Sequence, residues 1–154
     1  MNKLSKIIFT YYLFFLFWGI LFKFNIQDTL NIAQNFPTRS LNLSPFSASG
    51  GRLEVIFNVL IFIPFGFFSI YLSKNKSFLG KLWMIFVVSF FVEILQYFLG
   101  IGASDVTDLI TNTFGGLIGI IICQITQKSR NAQNFVHLLF AFFLAFFTFL
   151  ILSH

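Results

Sequence analysis

Long apolar stretches alternate with short polar turns along most of this chain. A helix that crosses a bilayer needs about 20 predominantly apolar residues, and five stretches approach that length. We therefore predict five transmembrane helices, at roughly 6–24, 53–72, 81–100, 105–125 and 135–152. Two lysines precede the first stretch, as in a signal peptide, but no small-residue cleavage site follows it. The first stretch is accordingly interpreted as an uncleaved membrane span.

Residues 25–51 form the longest polar connection between these stretches. Loops of this length are uncommon in compact folds unless they are functional or mobile. Within it, the segment from Leu41 to Phe46 is apolar enough to lie along the membrane interface. We expect this connection to cover whatever lies at the adjoining ends of the helices.

The lysines and arginines divide unequally between the two ends of the predicted helices, and this imbalance predicts the orientation. Seven fall on one side: Lys3, Lys6, Lys74, Lys76, Lys81, Lys128 and Arg130. Three fall on the other side: Lys23, Arg39 and Arg52. The amino terminus is therefore predicted to be cytoplasmic, and five spans put the carboxyl terminus outside. Every acidic residue then lies on the outer side or nearer to it.

The composition supports a membrane protein. Hydrophobic residues make up 57% of the chain and charged residues only 10%, whereas about a quarter of a soluble domain is charged. The fold class predicted is an all-α integral membrane protein, a single membrane domain over residues 1–154. The formal charge of +5 would suggest nucleic acid in a soluble protein. Here the basic residues lie between apolar runs, where they contact anionic lipid head groups, so membrane lipids are the predicted partners and nucleic acid is not.

Acidic and amide side chains interrupt three of the apolar stretches, and they form the candidate site. They are Asn58 in the second stretch, Glu93 and Gln96 in the third, and Asp105, Asp108 and Asn112 in the fourth. At about 1.5 Å of rise per residue, Asn58, Glu93 and Asn112 each lie roughly 8–10 Å below the outer ends of their helices. Polar groups are costly inside a membrane and commonly mark functional sites. We therefore predict one ligand-binding or functional cluster in the outer leaflet.

A structural role for the same residues stays open. Glu93 and the amides could join helices through hydrogen bonds worth about 0.6–2 kcal/mol each. Asp105 and Asp108 could form a solvated helix start, where acids are favoured, with Ser104 as the N-cap. Glycines continue the face of Asn112 towards the inner leaflet and predict a close approach of a neighbouring helix there. They are Gly115, Gly116 and Gly119.

Three ordered motifs in the chain resemble a known family. NVLIFIPFG begins at Asn58, EILQ begins at Glu93 and DVTDLITNTFGG begins at Asp105. They are similar to the signature blocks of the VanZ-like family, small bacterial membrane proteins named for a member linked to low-level teicoplanin resistance. The resemblance covers residues 40–125 and leaves 135–153 as an additional span. The family commonly has an arginine shortly before the first aspartate, where this chain has residues 101–104 without one. If that arginine pairs with the carboxylates or binds an anionic ligand, either Arg39 or Arg52 replaces it here or the activity differs.

The resemblance implies a multi-pass protein of the bacterial cell membrane with a role in the cell envelope. The leading hypothesis is a factor whose outer-leaflet cavity binds a lipid-linked envelope precursor or a lipoglycopeptide. The alternative is a membrane-embedded enzyme that acts on a lipid-linked substrate through Asp105, Asp108 and Glu93. A proton-coupled transporter is disfavoured because no acidic residue lies in the inner leaflet. His137 and His154 form no zinc constellation, so no metal is predicted, and the cofactor is left open.

Overall fold

The computed structural model describes residues 3–22, 38–46 and 52–152. Within these ranges the chain forms five helices and two short strands. The helices are α1 (Lys3–Phe22), α2 (Arg52–Leu72), α3 (Phe78–Leu99), α4 (Val106–Thr126) and α5 (Arg130–Leu152). The strands are β1 (Thr38–Asn42) and β2 (Ile101–Asp105). The predicted helical bundle is confirmed, and the small sheet is an addition that the apolar pattern did not indicate.

The helices α1 to α4 are long and apolar enough to cross a membrane. Helix α5 contains the fifth predicted span, and its crossing stays a prediction, as does the cytoplasmic amino terminus. The end of the first predicted span at residues 23–24, and most of the predicted outer connection, lie outside the described residues.

Local capping sets both ends of α3. The side chain of Ser77 accepts a hydrogen bond from the backbone N–H of Gly80 at the amino end, which satisfies one of the free donors of the first turn. Gly100 follows the carboxyl end with φ 66° and donates to the carbonyls of Gln96 and Tyr97. Glycine adopts this left-handed conformation without a steric cost. The chain can therefore reverse there and enter β2 directly.

Helices α2 and α4 approach each other backbone to backbone. A Cβ atom added at Gly115 would fall 2.9 Å from the carbonyl carbon of Val59, and one at Gly119 would fall 2.7 Å from the amide nitrogen of Phe67. Gly66 of α2 faces the backbone of Gly116 in the same way. The close approach that the glycine face predicts is confirmed, and α2 is the neighbouring helix.

Helix α5 packs on α1 and α2 through aromatic and polar contacts. The ring of Phe67 lies edge-on to His137 and to Phe140, at centroid distances of 5.4 and 5.3 Å. Nε2 of His137 lies 3.0 Å from the hydroxyl of Ser5. The opposite face of α5 is exposed, including Phe135, Leu138, Phe142 and Phe149. This exposed apolar face is what a lipid-facing helix requires.

The two strands form a parallel pair at one end of the bundle, in a register that runs from Thr38 opposite Ile101 to Asn42 opposite Asp105. Residues that follow β1 extend across the start of α4. Leu41 in β1 and Leu43 and Phe46 after it are 60–73% exposed, as a segment that lies along a membrane interface requires. Phe46 has φ 59°, an uncommon conformation for a bulky side chain.

Candidate functional site

Glu93 lies at the centre of the polar cluster and is only 4% exposed. Because β2 runs back beside α3, the start of α4 reaches this side chain. Oε2 of Glu93 accepts hydrogen bonds from the backbone N–H of Asp105 (3.0 Å) and from the hydroxyl of Ser104 (3.1 Å). One carboxylate oxygen of α3 thus holds the junction between β2 and α4.

Asp105 is the N-cap of α4, and the assignment of that role to Ser104 was wrong. Its Oδ1 accepts from the backbone N–H of Thr107 at 2.7 Å, and its Oδ2 accepts from Nδ2 of Asn42 at 3.0 Å. The Ser104 hydroxyl is engaged by Glu93 instead. Asp105 is 8% exposed, so this helix start is buried rather than solvated. An acid also suits the positive end of the helix dipole.

Asn58 and Asp108 join α2 to α4. Nδ2 of Asn58 donates to Oδ1 of Asp108 at 2.7 Å, a short distance typical of a hydrogen bond to a charged acceptor. Asn58 is 8% exposed and Asp108 is half-buried. This bond lies at the same α2–α4 contact as the glycines, next to Val59, so the close backbone approach positions it.

Gln96 and Asn112 extend the cluster in two directions. Nε2 of Gln96 donates to the carbonyl of Ile20 in α1 at 3.0 Å, and Nδ2 of Asn112 donates to the hydroxyl of Ser89 in α3 at 3.0 Å. The two amides are 4% and 1% exposed. They connect α3 with α1 and with α4 inside the apolar bundle.

The six predicted residues therefore occupy one region but do not form one ring of contacts. Glu93 bonds directly to the backbone of Asp105, and the carboxylates of Asp105 and Asp108 both lie within electrostatic range of it. Asn58 donates to Asp108, and Gln96 donates to the Ile20 carbonyl in α1. Across the described ranges, no three histidine, cysteine or acidic side chains lie close enough together to hold a metal ion.

Four further residues complete the network, and the sequence signals for them differ. Ser89 precedes Glu93 by four residues, so helical spacing alone places it on the same face. Thr107 accepts a hydrogen bond from the backbone N–H of Phe46 at 2.9 Å. Asn42 and Ser104 enter through the pairing of β1 with β2 and through the turn at Gly100. No local pattern indicates a pairing between segments about 60 residues apart.

This geometry defines a small helical membrane protein with a buried polar cluster at one end of three packed helices. A profile of the VanZ/LLP1 family matches residues 9–127. The chain is also similar to Protein VanZ of Enterococcus faecium, with 41% identity over 131 residues that cover 85% of this chain and 80% of the relative. The chain belongs to the VanZ/LLP1 family. No solved structure matches it.

The strand register bears on the arginine that is absent before Asp105. The Cα atom of Arg39 in β1 lies opposite that of Gly102 in β2, so the backbone of an arginine runs beside the segment where the family commonly has one. Arg52 is exposed at the first turn of α2. Of the two replacements that the sequence suggests, Arg39 is the one whose backbone pairs with this segment.

Proposed function

We propose that this protein is an envelope-associated factor of the bacterial cell membrane that binds the head group of a lipid-linked or amphiphilic ligand at its polar cluster. Through this binding it lowers sensitivity to lipoglycopeptides such as teicoplanin. The observation that carries the proposal is the buried network of acids and amides that joins α2, α3, α4 and β1. Such groups are costly in membrane helices and commonly mark binding sites, and membership of the VanZ/LLP1 family supports the role in resistance.

The surroundings of the cluster suit an amphiphile. The polar groups lie at the ends of the helices next to β1 and β2, where a head group would be found. An apolar groove of about 300 Å³ runs between α2 and α5, and Leu60, Pro64 and Phe140 are among the residues that line it. Leu60 follows Asn58 by two residues, so the two side chains lie on different faces of α2. An acyl chain in this groove would contact the helix that carries Asn58, but on another face than the cluster.

A membrane-embedded enzyme is the second candidate, and one observation favours it: Oε1 of Glu93 accepts no hydrogen bond within the described part of the chain, so it is free to act on a ligand. Against this, both carboxylate oxygens of Asp105 are engaged in holding the start of α4 and β1. The carboxylate of Asp108 is also engaged, because its Oδ1 accepts from Asn58. Binding is the role that the geometry supports better.

The test is expression in a teicoplanin-susceptible bacterium, with the inhibitory concentration as the readout. We expect the unchanged chain to raise this concentration, and Glu93→Ala, Asp108→Ala and Asn112→Ala to lose most of the increase. The matched control is Gln133→Ala, which removes an amide that donates to Tyr71 outside the cluster. Membrane levels of every variant are measured by immunoblot. Full resistance in all three variants at normal protein levels would contradict the proposal.

Asp108→Asn separates the two candidates. The amide keeps an oxygen that can accept from Asn58, but it cannot ionise. If the variant still binds the ligand and folds normally yet loses function, the enzyme is favoured, because only chemistry then needs the charge. Retained function favours the binding factor.

A further inference from the structure

Three buried oxygen atoms of the cluster accept no hydrogen bond from the residues that the structure describes. They are Oε1 of Glu93, Oε1 of Gln96 and Oδ1 of Asn112, and their side chains are 4%, 4% and 1% exposed. Buried polar atoms in native proteins are almost always hydrogen-bonded, so each exception requires an explanation. All three are acceptors, which narrows the chemistry of any group that would satisfy them.

The orientation of Gln96 is fixed by its partner. Its Nε2 faces the carbonyl of Ile20, and because a carbonyl can only accept, the amide nitrogen must point there and the oxygen must point away. The nitrogen of Asn58 is fixed in the same way by the carboxylate of Asp108. Asn112 is less constrained, since the Ser89 hydroxyl can donate or accept. The side-chain nitrogens of Gln96 and Asn58 are thus used within the protein, and the Gln96 oxygen remains as a fixed acceptor beside that of Glu93.

The free oxygens lie on adjacent turns. Glu93 and Gln96 are three residues apart on α3 and share one face of the helix, about 4.5 Å apart along its axis. Ser89, which holds the Asn112 amide, is seven residues before Gln96, about 10 Å away along the axis, so Asn112 is too far from Gln96 to bind the same small group. The carboxylates of Asp105 and Asp108 are close enough to act electrostatically on Glu93, so the surrounding acids also favour a positive group.

We propose that the free oxygens of Glu93 and Gln96 bind the primary ammonium group of an amphiphile; the inference rests on the proposed function and names its ligand class. A primary ammonium carries three N–H donors and no acceptor, so it can donate to the carboxylate oxygen of Glu93 and to the amide oxygen of Gln96 one turn away. An ionised phosphate or carboxylate head group presents acceptors and would face like groups. A quaternary ammonium has the charge but no N–H donor, and it is therefore the informative comparison.

The full-length protein in an uncharged detergent provides the test, with thermal stability measured against rising amounts of three amphiphiles of equal chain length. They are dodecylamine, dodecyltrimethylammonium and dodecyl phosphate. A ligand that binds the folded state raises the melting temperature, and at equal concentration above the Kd the stabilisation grows with the logarithm of the affinity. We expect dodecylamine to bind about tenfold more tightly than dodecyltrimethylammonium, because hydrogen bonds to charged groups are the stronger class, and dodecyl phosphate to stabilise least.

Substitutions test whether the preference for dodecylamine arises at the proposed site. Glu93→Gln and Gln96→Leu should each reduce the preference for dodecylamine, whereas Gln133→Leu, which removes a distant amide, should keep it. Equal binding of the two cationic amphiphiles, tighter binding of the phosphate, or no stabilisation by any of the three would overturn the inference. These comparisons use the unchanged protein and stand even if a variant fails to fold.

The result of the ammonium-binding test can be distinguished from the result of the resistance test of the proposed function. If the alanine variants lose teicoplanin resistance while the protein shows no preference for the primary amine, only the ligand class is wrong. If the amine preference is present and depends on Glu93, but the alanine variants keep full resistance, the site binds an ammonium group and the proposed function fails.

Discussion

Replacing Gly115 by alanine tests the contact that positions the cluster. The added Cβ would lie 2.9 Å from the carbonyl carbon of Val59 and 3.0 Å from its Cα, and still closer to its oxygen. Ordinary carbon contacts need about 3.5–4.0 Å, so α2 and α4 must separate by roughly 1 Å. No side chain can turn aside to relieve this overlap, because the obstructing atoms are backbone.

The change in the free energy of unfolding that Gly115→Ala causes is the sum of two opposing effects. Overpacking of a close contact costs about 1–3 kcal/mol, and a backbone obstacle puts Gly115→Ala at the upper end. Alanine regains about 1 kcal/mol relative to glycine through helix propensity. We therefore expect a net destabilisation of about 2 kcal/mol. Because one separation of the helices also relieves Gly119, the Gly115→Ala/Gly119→Ala pair should cost less than the sum of the single changes.

The assay is the melting temperature of the purified protein in detergent, with Gly80→Ala as the matched control. A Cβ at Gly80 would lie 3.2 Å from the Cβ of Lys76, and a shift of a few tenths of an ångström in the exposed turn relieves this contact. The control should leave stability unchanged or raise it slightly. Widening the contact should also lengthen the bond from Asn58 to Asp108 and so lower teicoplanin resistance. A Gly115→Ala protein as stable as the control would refute the reasoning.

Three further outcomes are expected. Asp105→Ala should lose about 1 kcal/mol of helix capping and lower the melting temperature, whereas Asp105→Asn should recover most of it; equal loss in both would show that capping is not its role. Thr107→Val keeps the shape but removes the acceptor for the Phe46 N–H, so amide exchange at Leu43, Ser44 and Phe46 should accelerate while the helices exchange as before. Single cysteines at Asn75 and Ser129, in a chain without its native cysteine, should be labelled only from the cytoplasm; labelling from outside would contradict the predicted topology.

The helices and the membership of the cluster follow from the sequence because both depend on local spacing. The apolar runs are long enough to read one by one, and Gly115 and Gly119 fall on the face of Asn112 at fixed helical intervals. The pairing of each polar group could not be predicted in the same way. Helical spacing gives the face on which Asn58 lies, but the rotation and separation of two helices decide whether it meets Asp108 or Asn112.

The start of α4 shows a second limit. Ser104 and Asp105 are both good N-caps, and the sequence alone does not rank them. Which of the two residues caps α4 depends on Glu93, whose carboxylate binds the Ser104 hydroxyl and the Asp105 backbone. This contact exists only because the chain reverses at Gly100. The local sequence pattern does not predict the strand that supplies Asn42 either. Its partner strand is more than 60 residues away, and neither strand is long or strongly apolar.

Phe46 holds the segment after β1 against the start of α4 in a strained backbone conformation. A left-handed backbone conformation costs a residue other than glycine about 1–2 kcal/mol, and Phe46 holds it with its N–H bonded to Thr107. When that hydrogen bond opens, the residue can relax to an extended conformation and recover this energy, so closing is less favourable than the bond alone suggests. Release of this segment from the start of α4 therefore recovers part of the free energy that is lost with the hydrogen bond, and amide exchange at Phe46 should be fast for a bonded backbone N–H.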